Sequence, residues 1–478
     1  MRMRVTGGAN SIRSEVSRRR LNDRGRFSRN VDILTGRVSV RGARGRQGQL
    51  ASISALAVLV VYLIGLQIYY IAIPTASSSL LDEGLAGLLA VYALRAYFIS
   101  LRLKYIFVLF MIYVGINFFG NVIFHYGGVS QPWAAFLDMI LDLKPFLIEA
   151  GFLYLFLKSS NPKAEMESMC VVVIVLALAN STLVLYDLNA NGDNLLGHPL
   201  QFRNGLYQPV GFQAYQVRSA ALTMIGATFA TYFALSRRST VMQIVAVYLA
   251  ALVFAHQSVK ELATFLLILP FFVASRGSKS SGVAIWAFAL LGLSFIILAT
   301  PVGELILGRI AFFANETGLD TARTLLLVRG FEIATDHFPF GSGAGTFGSA
   351  PSYQLGYSDL YYDYGMNTIY GATRDHPSFL QDAYWGKILG QSGFSGTVVY
   401  IMLLYSAFGI AFKLNRLLRN SSALPACAVV LLALMTSTAS SPFSDDFLGV
   451  ILAAFSAYAL SALVSVNMNS RDMSAQMR

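Results

Sequence analysis

The sequence is poor in cysteine and in charge. Its 478 residues include two cysteines, Cys170 and Cys427, and both lie inside long apolar runs. The sequence therefore does not predict a disulfide framework or a cysteine-based metal site. Only 13% of the residues are charged, 55% are hydrophobic, and the mean hydropathy is +0.57. This composition argues against an ordinary soluble protein and indicates a membrane protein.

Uncompensated positive charge is nearly absent outside the first 49 residues. Thirteen arginines and three acidic residues lie in that segment, which accounts for most of the net charge of +11. No apolar stretch closely follows the cluster Arg18-Arg19-Arg20, so the pattern of a secretory or twin-arginine signal is missing. We predict that residues 1–49 form a disordered cytoplasmic tail that fixes orientation and contacts anionic lipid. RNA binding by this tail has no other support, and we predict no nucleic-acid partner.

Apolar runs recur from residue 50 to residue 466. A helix of ~20 apolar residues crosses a bilayer, so we predict an all-α polytopic membrane protein with about twelve transmembrane helices. The predicted spans are residues 50–74, 84–101, 105–125, 134–157, 168–186, 213–235, 240–256, 259–275, 283–302, 388–412, 424–440 and 447–466. The large interruption, residues 303–387, is predicted as a loop between spans nine and ten, and residues 467–478 as a short cytoplasmic tail.

Basic and acidic residues segregate to alternate turns between these spans. With the N-terminus in the cytoplasm, the cytoplasmic turns hold Arg102, Lys104, Lys158, Lys163, Arg237, Arg238, Arg276, Lys279, Lys413, Arg416 and Arg419. The opposite turns hold Asp82, Glu83, Asp445 and Asp446. The positive-inside rule then predicts that both termini are cytoplasmic. Loop 303–387 and a second loop, about residues 187–212, are predicted to face outward.

Ionisable residues inside the predicted spans need an explanation because they are costly in a bilayer. Asp138, Asp142 and Glu149 lie along one helical stripe. They line a polar cavity that reaches into the membrane, or they form a buried network between helices. His256 and Lys260 are four residues apart near the outer end of a helical hairpin, where Lys260 could instead extend to the interface.

The long loop contains groups suited to an anion. Residues 323–335 are predicted as an amphipathic helix, and the run Gly341–Gly345 as a tight turn with exposed amides. Arginines beside free amides can hold a phosphate or pyrophosphate. Arg329 could instead pair with Glu332 on the helix. Arg323 has no such obvious local partner, and Asp320 is its best candidate.

The same loop is unusually aromatic and contains a histidine. The aromatic residues are Tyr353, Tyr357, Tyr361, Tyr362, Tyr364, Tyr370, Tyr384 and Trp385. Such rings stack on sugars or hold a loop at the membrane interface. His376, in the run RDHPSF, could take a proton from an attacking hydroxyl or could be structural.

These motifs together resemble the bacterial O-antigen polymerase and O-antigen ligase superfamily. The signature of that superfamily is an arginine, a helix, a glycine turn, a loop histidine and a glycine-containing element that leads into a span. Here Arg323, residues 337–343, His376 and residues 391–396 match it in that order. The run Arg203-Asn-Gly-Leu-Tyr-Gln-Pro resembles the second family arginine. The resemblance covers about residues 50–466, with Gln391 where an acid is usual.

The resemblance implies a metal-independent, cofactor-free glycosyltransferase in the bacterial inner membrane. Its donor would be a polyprenyl-pyrophosphate-linked oligosaccharide, and its partners would be membrane lipid, a flippase and a chain-length co-polymerase. The catalytic residues implied are His376, Arg323 and Arg203. The candidate substrate-binding residues are Arg329, Lys260, Arg218, Gly341, Gly343, Tyr384, Trp385 and Gln391.

Within the superfamily, the aromatic stretch 353–384 and the run DAYWGKILGQSG favour an exopolysaccharide or O-antigen polymerase. The first alternative is a ligase that transfers the glycan to lipid A core. The second is a lipid-linked-sugar flippase or transporter, with Asp138, Asp142 and Glu149 in coupling and the loop as a gate. The lack of an internal sequence repeat argues against a transporter.

The charge asymmetry makes the topology testable. A reporter fused near Tyr357 should be periplasmic and one fused at Arg478 cytoplasmic, because the basic turns lie on one side. Paired alkaline phosphatase and green fluorescent protein fusions at each site measure this. If both sites report the same side, the twelve-span arrangement is wrong.

Overall fold

The computed structural model describes most of the chain from Ile53 to Gln476. The described residues are 53–73, 81–124, 131–190, 192–203, 206–213, 215–256, 258, 261, 264–265, 267–268, 322–369, 371–377, 379–380, 383–418, 423–438, 440–443 and 445–476. The tail 1–49, the predicted span 283–302, most of the predicted span 259–275 and residues 303–321 lie outside this part.

The described chain is almost entirely helical. Its α-helices are α1 (Ala55–Ala72), α2 (Leu81–Ile99), α3 (Leu101–Phe124), α4 (Gln131–Lys158), α5 (Pro162–Asp187), α6 (Gln216–Arg237), α7 (Thr240–Ala255), α8 (Ala322–Asp336), α9 (Pro351–Gln354), α10 (Leu360–Asp363), α11 (Tyr384–Phe408), α12 (Ile410–Leu418), α13 (Leu424–Thr436) and α14 (Leu448–Gln476). A short antiparallel hairpin, β1 (Gln201–Arg203) with β2 (Leu206–Gln208), lies between α5 and α6.

The predicted all-α membrane class is confirmed at the level of apolar helices. Five helices of the described chain are long and apolar enough to cross a membrane: Ala55–Ala72, Arg102–Phe124, Pro162–Asp187, Gln216–Arg237 and Tyr384–Phe408. Shorter apolar helices are Thr240–Ala255, Leu424–Thr436 and Leu448–Val464. The count of about twelve spans stays a prediction.

Helices α1 and α5 begin where the sequence supplies a capping group. The Ser54 hydroxyl accepts a hydrogen bond from the Ala57 amide at the start of α1. Asn161 caps α5 in the same way, and Pro162 follows it at the first helical position. Polar side chains at these positions satisfy amides that the first turn leaves without helical partners. The starts of these two helices are therefore fixed locally.

Helices α2 and α4 run parallel and in register. Lys144 pairs with Asp82, Gly151 packs against Leu89, and the Tyr154 ring stacks on Tyr92. Each pair is 62 residues apart, so the two helices advance together. Both helices carry charged residues that must be accommodated in the membrane. Lys144 is buried and also lies 3.0 Å from Glu83.

Helix α14 lies at the centre of the bundle. Every side chain from Leu448 to Leu460 is buried, and the run is rich in alanine. Small residues allow close helix packing in a membrane, where burying apolar surface away from lipid adds little. This helix packs against α4, α13 and α12, and it holds the two halves of the chain together.

A second buried ion cluster joins α4 to α11. The Lys387 Nζ lies 2.7 Å from Asp138 and 2.9 Å from Asp142, and the Tyr113 hydroxyl donates to the second oxygen of Asp142 at 3.0 Å. For Asp138 and Asp142 the structure therefore favours the network between helices over a polar cavity. Glu149 lies further along the same stripe of α4 and is fully buried. Within the described chain, neither of its carboxylate oxygens accepts a hydrogen bond.

Removing Lys387 should be strongly destabilising because two buried carboxylates would lose their cation. Lys387→Met should cost about 3–5 kcal/mol, the range for breaking a buried ion pair from one side. The exposed pair of Arg237 with Glu167 supplies the control, since Arg237→Met should cost about 0–1 kcal/mol. Thermal unfolding in detergent measures the order, and adding Asp142→Asn to Lys387→Met should restore part of the loss. Equal melting of both single variants would contradict this account.

Candidate functional site

The glycine turn after α8 lies against α11 with backbone contacting backbone. Gly341 has φ +72, and a Cβ there would lie 2.3 Å from the Gly393 amide nitrogen. Gly393 itself has φ +60 and interrupts the helical geometry of α11. Both positions require glycine because an L side chain rarely adopts this backbone and has no space. The two glycine motifs, about fifty residues apart in sequence, are thus in direct contact.

The next two glycines of the turn contact two other helices. A Cβ at Gly343, where φ is +94, would lie 2.3 Å from the Asn121 side chain on α3. A Cβ at Gly345, where φ is +73, would lie 2.5 Å from the backbone of Ala134 and Ala135 on α4. Each glycine therefore allows a different helix to approach. The turn joins α3, α4 and α11.

The prediction that this turn exposes its amides is wrong. Residues 341–349 are buried, and the amides of Ser342 and Gly343 donate to the Gly390 and Gln391 carbonyls at 2.9 Å and 2.8 Å. The Gly345 amide donates to Asp138 at 2.9 Å. These donors cannot bind an anion while the turn is folded. The signal that favoured a phosphate turn, closely spaced glycines, arises here from helix packing.

Gln391 also serves the turn. Its Nε2 donates to the Phe347 carbonyl at 2.7 Å and lies 3.2 Å from the Ser349 hydroxyl. A carboxylate could not donate to a carbonyl. An amide at this position therefore makes a hydrogen bond to Phe347 that a glutamate could not make.

Helix α8 carries Arg323 and Arg329 and packs closely on the start of α11. A Cβ at Gly330 would lie 2.4 Å from the Gly386 carbonyl oxygen, so the two helices touch at glycine. Arg329 Nη1 lies 2.5 Å from Glu332, which agrees with the local pair considered from the sequence. Arg323 is the second residue of α8, seven positions before this crossing.

The tyrosines of the loop mostly pack with one another. Tyr361 is fully buried, and its hydroxyl accepts a hydrogen bond from the Gly348 amide at 2.8 Å. Its ring contacts the Tyr357 ring, with 4.7 Å between the centroids. The Tyr357 hydroxyl donates to the Ala372 carbonyl at 2.6 Å. Burial raises the pKa of Tyr361 above its ordinary value, so its hydroxyl remains protonated. Tyr362, by contrast, is 47% exposed and could stack on a sugar.

His376 lies on an exposed segment between Gly371 and Phe379, which contact each other. The Phe379 amide donates to the Gly371 carbonyl at 2.8 Å, and the Phe379 ring covers Gly371, whose φ is +84. His376 lies between Gly371 and Phe379 in the sequence and is exposed, and its amide donates to the Thr373 hydroxyl. The structure thus presents the predicted base at the surface of the loop. The other loop histidine, His337, is buried against Phe124 with Nδ1 2.9 Å from the Ile333 carbonyl.

Arg203 lies at the tip of the hairpin, paired in register with Leu206. The base of the hairpin is held by Asp187, which accepts the amides of Val210 and Gly211 at 2.9 Å and 2.7 Å. Asn180 accepts the next amide, that of Phe212, at 3.1 Å. The end of α5 therefore fixes the segment that carries Arg203.

Arg218 lies in an internal ion cluster. Its guanidinium is 2.8 Å from Asp446 and 3.3 Å from Asp445, donates to the Tyr70 hydroxyl, and stacks on the Tyr70 ring. These contacts join α1 and α6 to the turn before α14. Arg218 could serve a substrate only after leaving these partners. The sequence placed Asp445 and Asp446 in an outward turn but did not predict this cluster.

Of the remaining candidate substrate-binding residues, the structure describes Tyr384 and Trp385. Tyr384 is buried and hydrogen-bonds Tyr400, and the Trp385 Nε1 donates to the Ser437 hydroxyl at 3.0 Å. Both residues therefore pack α11 in the bundle. Lys260 lies outside the described residues. Its predicted neighbour His256 is buried, with Nε2 3.2 Å from the Thr223 hydroxyl.

Within the described ranges, no group of three or more His, Cys, Asp or Glu side chains is arranged to hold a metal ion. Metal independence stays a prediction.

A scan of the sequence against protein-family models found no match, and a search of curated proteins found none either.

The crowding at Gly343 generates a stability prediction. Gly343→Ala should cost about 1–2 kcal/mol for the left-handed backbone and a further 1–3, roughly, for forcing Asn121 and α3 away. Gly365→Ala is the matched control, because Gly365 has φ +66 but nothing within 4 Å of a Cβ. Thermal unfolding in detergent should rank wild type, Gly365→Ala and Gly343→Ala in falling order. The packing role fails if the two variants melt together.

Proposed function

We propose that the protein is a polysaccharide polymerase that joins polyprenyl-pyrophosphate-linked repeat units on the outer face of the inner membrane. The observation that carries the proposal is the contact between the two glycine motifs, in which the Gly343 amide donates to the Gln391 carbonyl at 2.8 Å. The segments that resemble the superfamily thus form one unit. Helix α8, with Arg323, is attached to one side of it, and the segment that presents His376 follows in the same loop.

We assign binding of the donor pyrophosphate to arginine side chains. With the turn amides engaged, Arg323 and Arg203 are the candidates to hold the donor pyrophosphate by bidentate hydrogen bonds. An acceptor sugar hydroxyl attacks the anomeric carbon of the donor, and the bond from that carbon to the pyrophosphate oxygen breaks. The hydroxyl proton passes to His376 or to the departing polyprenyl pyrophosphate. The charge that develops on this leaving group is what the guanidiniums stabilise.

The buried ion clusters weigh against the flippase alternative. Asp138 and Asp142 are paired with Lys387, and this ion network holds helices together. A coupling role for these two carboxylates would require the pairs to break during each cycle. The ligase alternative shares the proposed donor chemistry and differs only in the acceptor.

Deletion of the gene separates the three functions. Surface glycan and lipid-linked precursors are resolved on gels. Single repeats capping the final lipid indicate a polymerase, and long chains left on polyprenyl indicate a ligase. Precursors confined to the inner leaflet indicate a flippase.

The metal independence of the reaction is tested in a purified system. Transfer that persists in EDTA would support a metal-independent reaction, and a strict need for added Mg²⁺ or Mn²⁺ would contradict it.

Substitutions in the deletion strain test the residue roles. Arg203→Lys, Arg323→Lys and His376→Ala should each leave a normally abundant membrane protein that makes little polymer. Losing one charge-stabilising donor costs ~3 kcal/mol, or roughly a hundredfold in rate. Arg329→Lys is the matched control on the same helix, because Arg329 pairs with Glu332 and lysine can retain that pair.

Each outcome has a separate meaning. If Arg323→Lys makes full-length polymer at the normal rate, its pyrophosphate role is wrong. If only His376→Ala is tolerated, the base assignment alone fails, and the leaving group needs no protein base. Protein abundance in the membrane is measured alongside, so that a loss of folding is not taken for a loss of catalysis.

A further inference from the structure

One face of α8 is apolar and exposed. Leu327 is 47% exposed, Val328 37% and Phe331 55%, and Phe338, just beyond the helix, is 69% exposed. Leu327, Val328 and Phe331 are spaced three and four residues apart on the same face of α8. Phe338 joins them through the Phe394 ring, which both Phe331 and Phe338 contact. In a water-facing loop, such a stripe would expose large hydrophobic side chains without cover.

Helix α8 and the turn after it lie along α11, and their backbone contacts advance in the same direction on both. Gly330 touches Gly386, the Phe331 ring contacts the Phe394 ring at 5.5 Å, and Gly341 touches Gly393. The two segments therefore run side by side for about seven residues of α11, or ~10 Å at the helical rise.

The chain then returns along the same helix. After Gly341 meets Gly393, Phe347 packs on Gly390, and Gly348 packs on Lys387. Residues 322–348 thus descend beside α11, turn, and come back. From Tyr384 to Gly393 no side chain of α11 is exposed, since this segment and its neighbours cover it.

The apolar stripe is continuous with the outer surfaces of two helices that can cross a membrane. Phe394, which contacts both Phe331 and Phe338, precedes Val398 and Ile401 on α11, and these are 58% and 49% exposed. On the other flank, the Phe340 ring lies 5.9 Å from that of Phe119 on α3, which is 53% exposed. Large exposed apolar side chains on spanning helices face lipid.

The turn also satisfies the condition for irregular backbone at membrane depth. Such backbone is tolerated only where the protein supplies its hydrogen bonds. The amides of Gly341, Ser342, Gly343 and Gly345 all donate to protein acceptors. The turn can therefore lie at membrane depth without an unsatisfied amide at these four positions.

We propose that residues 322–348 form a re-entrant segment whose stripe, Leu327, Val328, Phe331 and Phe338, contacts lipid acyl chains in the outer part of the bilayer. The segment predicted from sequence as one outward loop is then divided: its helix α8 and glycine turn are embedded, and the part around residues 351–377 lies in water. The inference does not depend on the polymerase proposal.

Cysteine labelling tests the placement, because both native cysteines are buried. Phe331→Cys, Ile401→Cys and Asp363→Cys are compared in lipid nanodiscs with a water-soluble maleimide. Ile401 is the lipid-facing reference on α11, and Asp363, an exposed carboxylate, is the water-facing reference. Phe331→Cys should label as slowly as Ile401→Cys and at least about tenfold more slowly than Asp363→Cys, because the reagent is excluded from the hydrocarbon region. Full labelling after denaturation in SDS confirms that each thiol is intact.

A second measurement identifies what covers the stripe. Tryptophan emission of Phe331→Trp, corrected for the native tryptophans, should be quenched by lipids brominated on their acyl chains, whereas that of Asp363→Trp should not. Fast labelling of Phe331→Cys overturns the proposal. Slow labelling without quenching also overturns it, since a second copy of the chain or another part of this chain would then cover the stripe.

Discussion

The carboxylate of Asp138 is the interaction on which the arrangement of the loop depends. One oxygen accepts the Gly345 amide at 2.9 Å, and the other lies 2.7 Å from the Lys387 Nζ. Asp138 on α4 therefore contacts two later parts of the chain, the glycine turn and α11, each more than two hundred residues away in sequence. A carboxylate in a bilayer is costly unless paired and hydrogen-bonded. Here both conditions are met by groups that the glycine turn and α11 supply, so loop and bundle stabilise each other.

Several polar residues near the loop are engaged with the protein itself, and the residues predicted to be catalytic form a different set. The turn amides, Gln391 and Arg218 are engaged with the protein itself. His376 is exposed, and Arg203 and Arg323 lie at a hairpin tip and a helix end. A rigid unit that carries functional groups at its edges is the usual division between scaffold and site. In the polymerase proposal, the second group performs the chemistry, and the first group holds the segments that carry it.

The sequence predicted the helices well, because apolar run length and capping residues are local signals. Each predicted span that the structure substantially describes coincides with a helix, although twelve spans are not shown. The hairpin at Arg203 was missed, although Asn-Gly between short strands is a strong hairpin signal. The role of the glycine turn could not be predicted. Its spacing is the same for a phosphate turn and a packing turn, and only the distant partners Asn121 and Gln391 decide between them.

The two proposals meet at the N-terminal end of α8. Arg323 precedes Leu327 by four residues, or about 6 Å along a helix axis. With the apolar stripe in the acyl region and the helix entering from outside, this end of α8 lies toward the headgroups. A polyprenyl-pyrophosphate donor keeps its tail in the bilayer and its pyrophosphate at that same depth. An arginine carried there by an embedded helix can meet the pyrophosphate without extracting the lipid. A helix held away from the membrane would require the donor to move outward, at the cost of exposing its tail to water.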